Sequence, residues 1–426
     1  MSKRRAVFTG LGVLSSIGTD PATFWQALRD GKCGIGPIKA FDTSALPSRI
    51  AGEVLDFDAK AFIPASMKSV RKSLKVMART IQLGVAASQQ AMEPRGPQKG
   101  KIDPFRFGVE FACVMVATEL EDLSKGAQTS CTGEPLKVNF PIWGEKGLAQ
   151  VPPLWMLKYL PNMPACHVSV NYDAQGPNNT ITNTDVAGLL ALGEAFRLMG
   201  RDAADFFLVG ACDSKINPVS FTRHSLFHEL SKRNDTPGEA LRPFDLTRDG
   251  SVLGEGAAVF GLEELEFAQK RGATIDAELL GFASGFDKGK TGARFSGVIR
   301  NAMKEAGIEP GDVDHVNAAA CGSVELDAWE ARAIGEVFGT AVPVFAPKGH
   351  LGDTGAASGL IELAASTLAL KHGVLPGTIN CGTPDPACPV RVHTGAPRPV
   401  TKPYVVKTSF TDRGQCAAVV ISSRVA

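Results

Sequence analysis

The chain has 426 residues, a formal net charge of +1 and 44% apolar residues. A chain of this length and apolarity buries a large core, and its near-neutral balance excludes intrinsic disorder, an acidic tail and the basic field of a nucleic-acid-binding protein. Small or apolar ligands and protein partners remain.

In chain order, short apolar runs bounded by glycine alternate with segments of helical period, the pattern of an α/β protein with largely buried sheets. Met1 to Arg5 is basic and runs straight into the strand Ala6-Val7-Phe8-Thr9-Gly10, without an apolar h-region or a cleavage site. No stretch approaches the roughly 18 apolar residues of a membrane span, so a cytoplasmic protein is expected. Pro21 to Arg29 reads as a helix with Phe24, Trp25 and Leu28 on one face. Met67 to Met92 reads as one long helix, with Val76, Ile81, Val85 and Ala86 inward and Lys68, Arg71, Lys72 and Lys75 outward. Pro94 to Pro104 reads as a surface loop, and Gln128 to Pro153, which lacks clean periodicity, as a long excursion. A helix from Asp185 to Met199 is followed by strands at Phe206 to Gly210 and Ala257 to Leu262, then by a helix from Glu263 to Arg271 stopped at Gly272. Beyond it the pattern predicts helices near Gly297 to Ala306, from Ser323 to Phe338 and from Ala356 to Leu370. Strands are predicted at Val313 to Asn317, Tyr404 to Thr408 and Ala417 to Ser422.

The nine cysteines (Cys33, Cys113, Cys131, Cys166, Cys212, Cys321, Cys381, Cys388 and Cys416) form no CxxC pair and no metal-ligand spacing. Their scatter and odd number fit reduced, mostly buried thiols. Neither a metal nor another cofactor is expected.

Several stretches resemble one family. Val7 to Ser15 (VFTGLGVLS) looks like its opening strand and turn, and Arg242-Pro243-Phe244-Asp245, Arg248-Asp249-Gly250, Gly254-Glu255-Gly256 and Leu262 to Leu265 (LEEL) like its most recognisable block. Leu230-Ser231 and Asn234-Asp235 stand just upstream, and Gly176-Pro177-Asn178 precedes a helix at the family's distance. The chain thus resembles the elongating β-ketoacyl-acyl carrier protein synthases, condensing enzymes of the thiolase fold, over nearly its whole length and least between Pro94 and Pro153. The resemblance implies two similar βαβαβαββ halves in a five-layered α-β-α-β-α arrangement, and a dimer. It divides the chain into residues 1–264, with an insertion around 94–165, and residues 265–426.

That family condenses a cysteine-bound acyl group with malonyl on acyl carrier protein. A thiolate at a helix N-terminus attacks the thioester, and two imidazoles donate hydrogen bonds as malonyl loses carbon dioxide. Here the resemblance puts Asp185 in the nucleophile position, with the register fixed downstream by Gly193-Glu194-Ala195-Phe196. Ala319, after Asn317-Ala318, stands for the first histidine, and Asp353, five residues beyond Lys348, for the second. Lys348 and its family partner Glu362 are retained, so no catalytic residue is expected. Asp185 is expected to cap the helix that follows, since a carboxylate suits a helix N-terminus. A carboxylate is also a poor nucleophile, because attack on a thioester would give an anhydride, which is uphill. His350, three residues before Asp353, is expected in solvent or as a cap. Lys348, Glu362, Asp353 and Asp185 are expected to form a charge-compensated cluster, because unpaired buried charges are costly.

Phe410, Asp412, Cys321 and Ser323 fall where the family binds its acyl-pantetheine substrate. In Thr408 to Gly414 (TSFTDRG) the first phenylalanine, Phe410, remains, but the gating position holds Asp412 and a flanking glycine is Arg413, so the apolar door is lost. Cys321 has no accompanying histidine and reads as inert packing.

The reading favoured is a catalytically degenerate subunit resembling a chain length factor. Its expected partners are a catalytic ketosynthase subunit in a heterodimer, or a second copy in a homodimer, and acyl carrier protein, with no nucleic acid and no membrane. Alternatives are a malonyl-carrier decarboxylase, which Ala319 and Asp353 oppose, another acyl-thioester enzyme on the same fold, and a carrier-binding module. The basic face Lys68, Arg71, Lys72 and Lys75 suits docking of an acidic carrier, and a solvated helix face explains the same charges. Pro152 to Trp155 and Leu160 to Met163 are apolar enough for an interface, a tunnel wall or core.

Overall fold

The computed structural model describes residues 4–93, 95–98 and 100–425, so Met1, Ser2 and Lys3 of the basic start and Pro94 and Lys99 of the expected surface loop lie outside the described residues. Eleven strands form one sheet: β1 (Ala6–Leu14), β2 (Phe107–Cys113), β3 (Asn178–Ile181), β4 (Phe206–Ser214), β5 (Glu255–Glu264), β6 (Ala277–Phe286), β7 (Val313–Asn317), β8 (Pro343–Phe345), β9 (Arg391–Val392), β10 (Tyr404–Phe410) and β11 (Gln415–Ser422). Their spatial order is β9-β8-β7-β10-β11-β6-β1-β5-β4-β2-β3.

The pairing pattern occurs twice. β1 to β5 and β5 to β4 are antiparallel, while β4 to β2 and β2 to β3 are parallel. Likewise β6 to β11 and β11 to β10 are antiparallel, while β10 to β7 and β7 to β8 are parallel. The repeats are stitched by antiparallel pairing of Ala6–Phe8 with Ala277–Leu279. β1, β2 and β5 are buried at every position, as strands covered on both faces must be.

Six helices complete five layers: α1 (Arg79–Met92), α2 (Met163–Tyr172), α3 (Ala187–Gly200), α4 (Ala293–Ala306), α5 (Val324–Phe338) and α6 (Ser358–His372). α1 and α2 cover the outer face of the first repeat, and α4 and α5 that of the second. Between them lie α3 and α6. α6 is buried at every residue from Ser358 to Leu370, as suits a helix sandwiched between the two repeats of the sheet.

Sequence period misplaces three helices. Met67 to Met92 is not one helix but Lys68–Ser73, a 3₁₀ turn Leu74–Val76, extended backbone at Met77 and Ala78, and then α1. The break buries Met77 and turns Arg79 onto the buried carboxylate of Glu255 at 2.6 and 2.7 Å. Val76 is consequently only half-buried. Glu263 and Glu264 end β5 rather than open a helix, because Glu263 is needed inside by Thr9 (2.8 Å) and Arg271. The short helix Leu265–Lys270 then stops at Gly272, whose φ of +72° explains the glycine. The helix expected from Asp185 starts two residues later, at Ala187.

A helix, Leu120–Ser130, leads into the excursion, which holds a two-stranded hairpin of Cys131–Thr132 with Lys137–Val138 and a π-helical turn Trp143–Gly147. Leu136, Phe140 and Leu148 are exposed along it, and Leu154 and Met156 just beyond it, so Pro152 to Trp155 is not core. Among the described residues no helix is long and apolar enough to cross a membrane.

Candidate functional site

The parallel strands deliver their C-terminal ends to one place, the position at which α/β sheets hold ligands. Asp185 follows β3, Asp213 and Lys215 stand at and just beyond the end of β4, Ala319 and Cys321 follow β7, Lys348 opens a short helical turn after β8, and Phe410 ends β10. A cavity of about 440 Å³ lies between them, lined by Asp185, Lys215, Ala319, Cys321, Lys348 and Asp353. Phe410, Asp412, Ser323 and Arg413 also line it.

Its floor is a network of buried charge. Lys348, 2% exposed, reaches Asp353 at 3.3 Å, Glu362 at 3.1 Å and the Ser358 hydroxyl at 3.0 Å. Lys215 approaches Asp353 from the other side at 3.6 Å, and Lys407 is ion-paired to Glu362. Asp353 also accepts the Gly355 N–H at 3.0 Å, in a turn that needs the left-handed φ of +55° at Gly355. A Cβ there would come within 2.0 Å of Asp213 Oδ2. Burial alone would raise the Asp353 pKa, but Lys215 and Lys348 outweigh it and hold the carboxyl well below the usual carboxylate range. For both lysines, burial opposes the charge and the surrounding carboxylates outweigh it, so their pKa values lie above the ordinary.

Asp185 does not cap α3. Val186 stands at the cap without a side-chain hydrogen bond, and the Ala187 N–H goes to the Thr184 carbonyl. The carboxyl instead lines the cavity beside Asp353, and its Oδ1 has no hydrogen-bond partner among the described residues. Burial, and then the Asp353 charge, push its pKa up to about 7. Burial raises that of Asp213 to about 6.

The loop carrying Ala319 is tied to Glu330, which accepts the Ala319 and Ala320 N–H groups at 2.9 Å each and the Thr408 hydroxyl at 2.7 Å. Asp327 accepts the Cys321 N–H at 2.8 Å. Burial, reinforced by Asp327, raises the Cys321 thiol well above its ordinary pKa, the reverse of activation. Ser323 caps α5, accepting from the Leu326 N–H. Phe410 packs on Trp329, ring centroids 5.2 Å apart.

His350 is neither in solvent nor a cap. Its ring is fully buried with its two nitrogens 2.8 and 3.1 Å from the Lys32 and Gly377 carbonyls, and a neutral imidazole donates its one N–H to one of them. Of the basic face, Lys68, Lys72 and Lys75 are exposed, whereas Arg71 turns back to the Ile63 and Lys60 carbonyls, both at 2.9 Å. These four stand away from the cavity lining.

Sequence reasoning missed Asp213, Lys215, His224 and His228. The first two were detectable as polar residues at the end of an apolar strand that follows a parallel neighbour. The histidines line the cavity with their rings stacked 5.1 Å apart. Burial and the charge of Lys215 push His224 down to about 4, so it is neutral. The floor therefore combines an adjacent acid pair with lysines already engaged by carboxylates and offers no activated thiol, and the imidazoles that line the cavity are those of His224 and His228.

Residues 3–268 match the family model for the beta-ketoacyl synthase N-terminal domain, and residues 277–382 that for its C-terminal domain. The chain is 33% identical over 432 residues to the 3-oxoacyl-[acyl-carrier-protein] synthase 2 of Coxiella burnetii, covering 99% of both chains. Its fold is similar to that of the ishigamide ketosynthase/chain length factor, with TM-score 0.86, 26% identity and both chains fully covered. It is similar also to a structure of a type II polyketide synthase acyl-carrier protein in complex with its ketosynthase bound to the hexaketide, with TM-score 0.85, 26% identity and again full coverage of both. With its five layers and its site at the strand ends, the chain belongs to the beta-ketoacyl synthase family and has the thiolase fold.

Proposed function

We propose that the chain is a ketosynthase-like subunit without condensing activity of its own, resembling a chain length factor. It works as partner to an active β-ketoacyl-acyl carrier protein synthase in type II fatty acid or polyketide synthesis. The observation that carries this reading is the floor itself: Asp185, Ala319 and Asp353 stand where the family resemblance puts cysteine and two histidines, and Asp353 is ion-paired to Lys215 and Lys348. A carboxyl that holds its proton near neutrality is no nucleophile. A second carboxylate beside it repels the enolate that malonyl decarboxylation would form, the opposite of oxyanion stabilisation.

Phe410, Asp412, Cys321 and Ser323 form part of the cavity wall in this reading and shape what enters it, while Lys68, Lys72 and Lys75 meet an acidic carrier protein. The repeated strand pairing supports residues 1–264 and 265–426 as the two halves. The exposed apolar residues of the excursion support a partner chain there, and the complex acts in the cytoplasm. The test is affinity purification of the tagged chain from its native host. Recovery of a cysteine-bearing synthase, with condensation only by the complex, is the expected result; recovery of the chain alone, with condensation by it, refutes the reading.

A further inference from the structure

A second cavity, of about 380 Å³, opens at the other end of the first repeat. Phe107, the first residue of β2, lines it, whereas the charged floor lies beyond the C-terminal ends of the strands parallel to β2. The seven residues of that strand separate the two places by roughly 20 Å. Much of the wall is apolar, with Met67, Met92, Ile102, Phe107 and the ring of Tyr172 all in or against the core under α1 and α2, and Gln98 and Asn171 line it as well.

One wall residue is polar and inside. Gln89, on α1, is 7% exposed and lines the cavity. Its Oε1 accepts from the Tyr172 hydroxyl at 2.7 Å, and its Nε2 has no hydrogen-bond partner among the described residues. A buried amide donor without an acceptor is costly, and few survive in folded proteins without a reason. The cavity is in the size range of ligand sites, and it has their usual make-up of apolar walls with a placed polar group. At the mouth, Glu93 and Asp173 are both exposed, and they disfavour an anion.

We propose that this cavity binds a small, uncharged apolar molecule bearing a carbonyl group, whose oxygen accepts from Gln89 Nε2 while its hydrocarbon covers Met92 and Phe107. The site is independent of the condensing history of the fold, and its test does not bear on the partner-subunit reading.

Isothermal titration of the full chain with decanamide and with decanoate tests it. Decanamide binds at one site, and decanoate at least about tenfold more weakly, because its carboxylate meets Glu93 and Asp173. Gln89→Leu weakens decanamide about fivefold through loss of one hydrogen bond, and Met92→Trp, which fills the cavity from its wall, abolishes binding. Circular dichroism checks the fold of each variant, and Met92→Trp decides the matter if Gln89→Leu does not fold. Absence of decanamide binding up to its solubility limit, or an affinity unchanged by Met92→Trp, overturns the proposal.

Discussion

Asp185 and Asp353 cannot both ionise freely in one water-poor floor, and the lysines decide which does. Lys215 and Lys348 hold Asp353 charged, so Asp185 keeps its proton up to about pH 7, well above an unfolded aspartate. The folded chain therefore binds a proton that the unfolded chain has released between about pH 4 and pH 7. Stability from this group is full below the unfolded pKa and is lost as pH rises through the folded one. Asp213, raised to about 6, acts in the same direction. Asp185→Asn removes the pH-dependent loss, so its stability relative to the parent rises by at least about 1 kcal/mol between pH 5 and pH 8. Urea unfolding across that range checks this, and a constant difference contradicts it. Lys348→Met strips a cation from between Asp353 and Glu362, which lie 3.3 and 3.1 Å away, and costs about 3 kcal/mol or more at pH 7. A loss under about 1 kcal/mol by urea titration would mean that Lys215 and Lys407 suffice.

At the scale of elements, the sequence was most legible where burial is symmetric and least where a side chain overrides local period. Ala417 to Ser422 was placed inside β11 with its end correct, because AAVVI is a continuous buried apolar run. Met67 to Met92 was misread, because its helical period runs straight through the break at Met77 and Ala78, and nothing local announces that Arg79 seeks Glu255, 176 positions away. The edge strand Asn178–Ile181 was invisible, since NNTI has little strand propensity and is ordered by pairing with β2. In the site, Lys348, Glu362 and Asp353 were legible as a cluster through the family resemblance. Asp185 was correctly located, but its capping role was not, because the lysines that attract it lie on other strands. The broken helix also changes the docking test. Arg71 serves its own chain, so only Lys68, Lys72 and Lys75 are free to meet an acidic partner. Reversing these three to glutamate lowers carrier-protein affinity about tenfold at low salt, and less as salt rises. Surface plasmon resonance at two ionic strengths reads both effects, and an unchanged affinity marks the face as solvated only.

Across the whole molecule, two sheet repeats and a shared helical layer keep the architecture of a condensing enzyme, while the residues at the strand ends have become a salt-bridged floor. The fold holds because buried charge is compensated within it: three lysines, Lys215, Lys348 and Lys407, serve Asp353 and Glu362. In the proposed reading, that compensation keeps these carboxylates and lysines engaged with one another rather than with an acyl chain or an enolate. The most direct test is intact-mass spectrometry of the isolated chain after incubation with an acyl-loaded carrier protein, with carbon dioxide release from a malonyl-loaded carrier followed in parallel. No mass increase and no release above the carrier alone is the result expected; an acyl adduct on the chain, or release that Asp185→Asn or Asp353→Asn abolishes, would contradict the account.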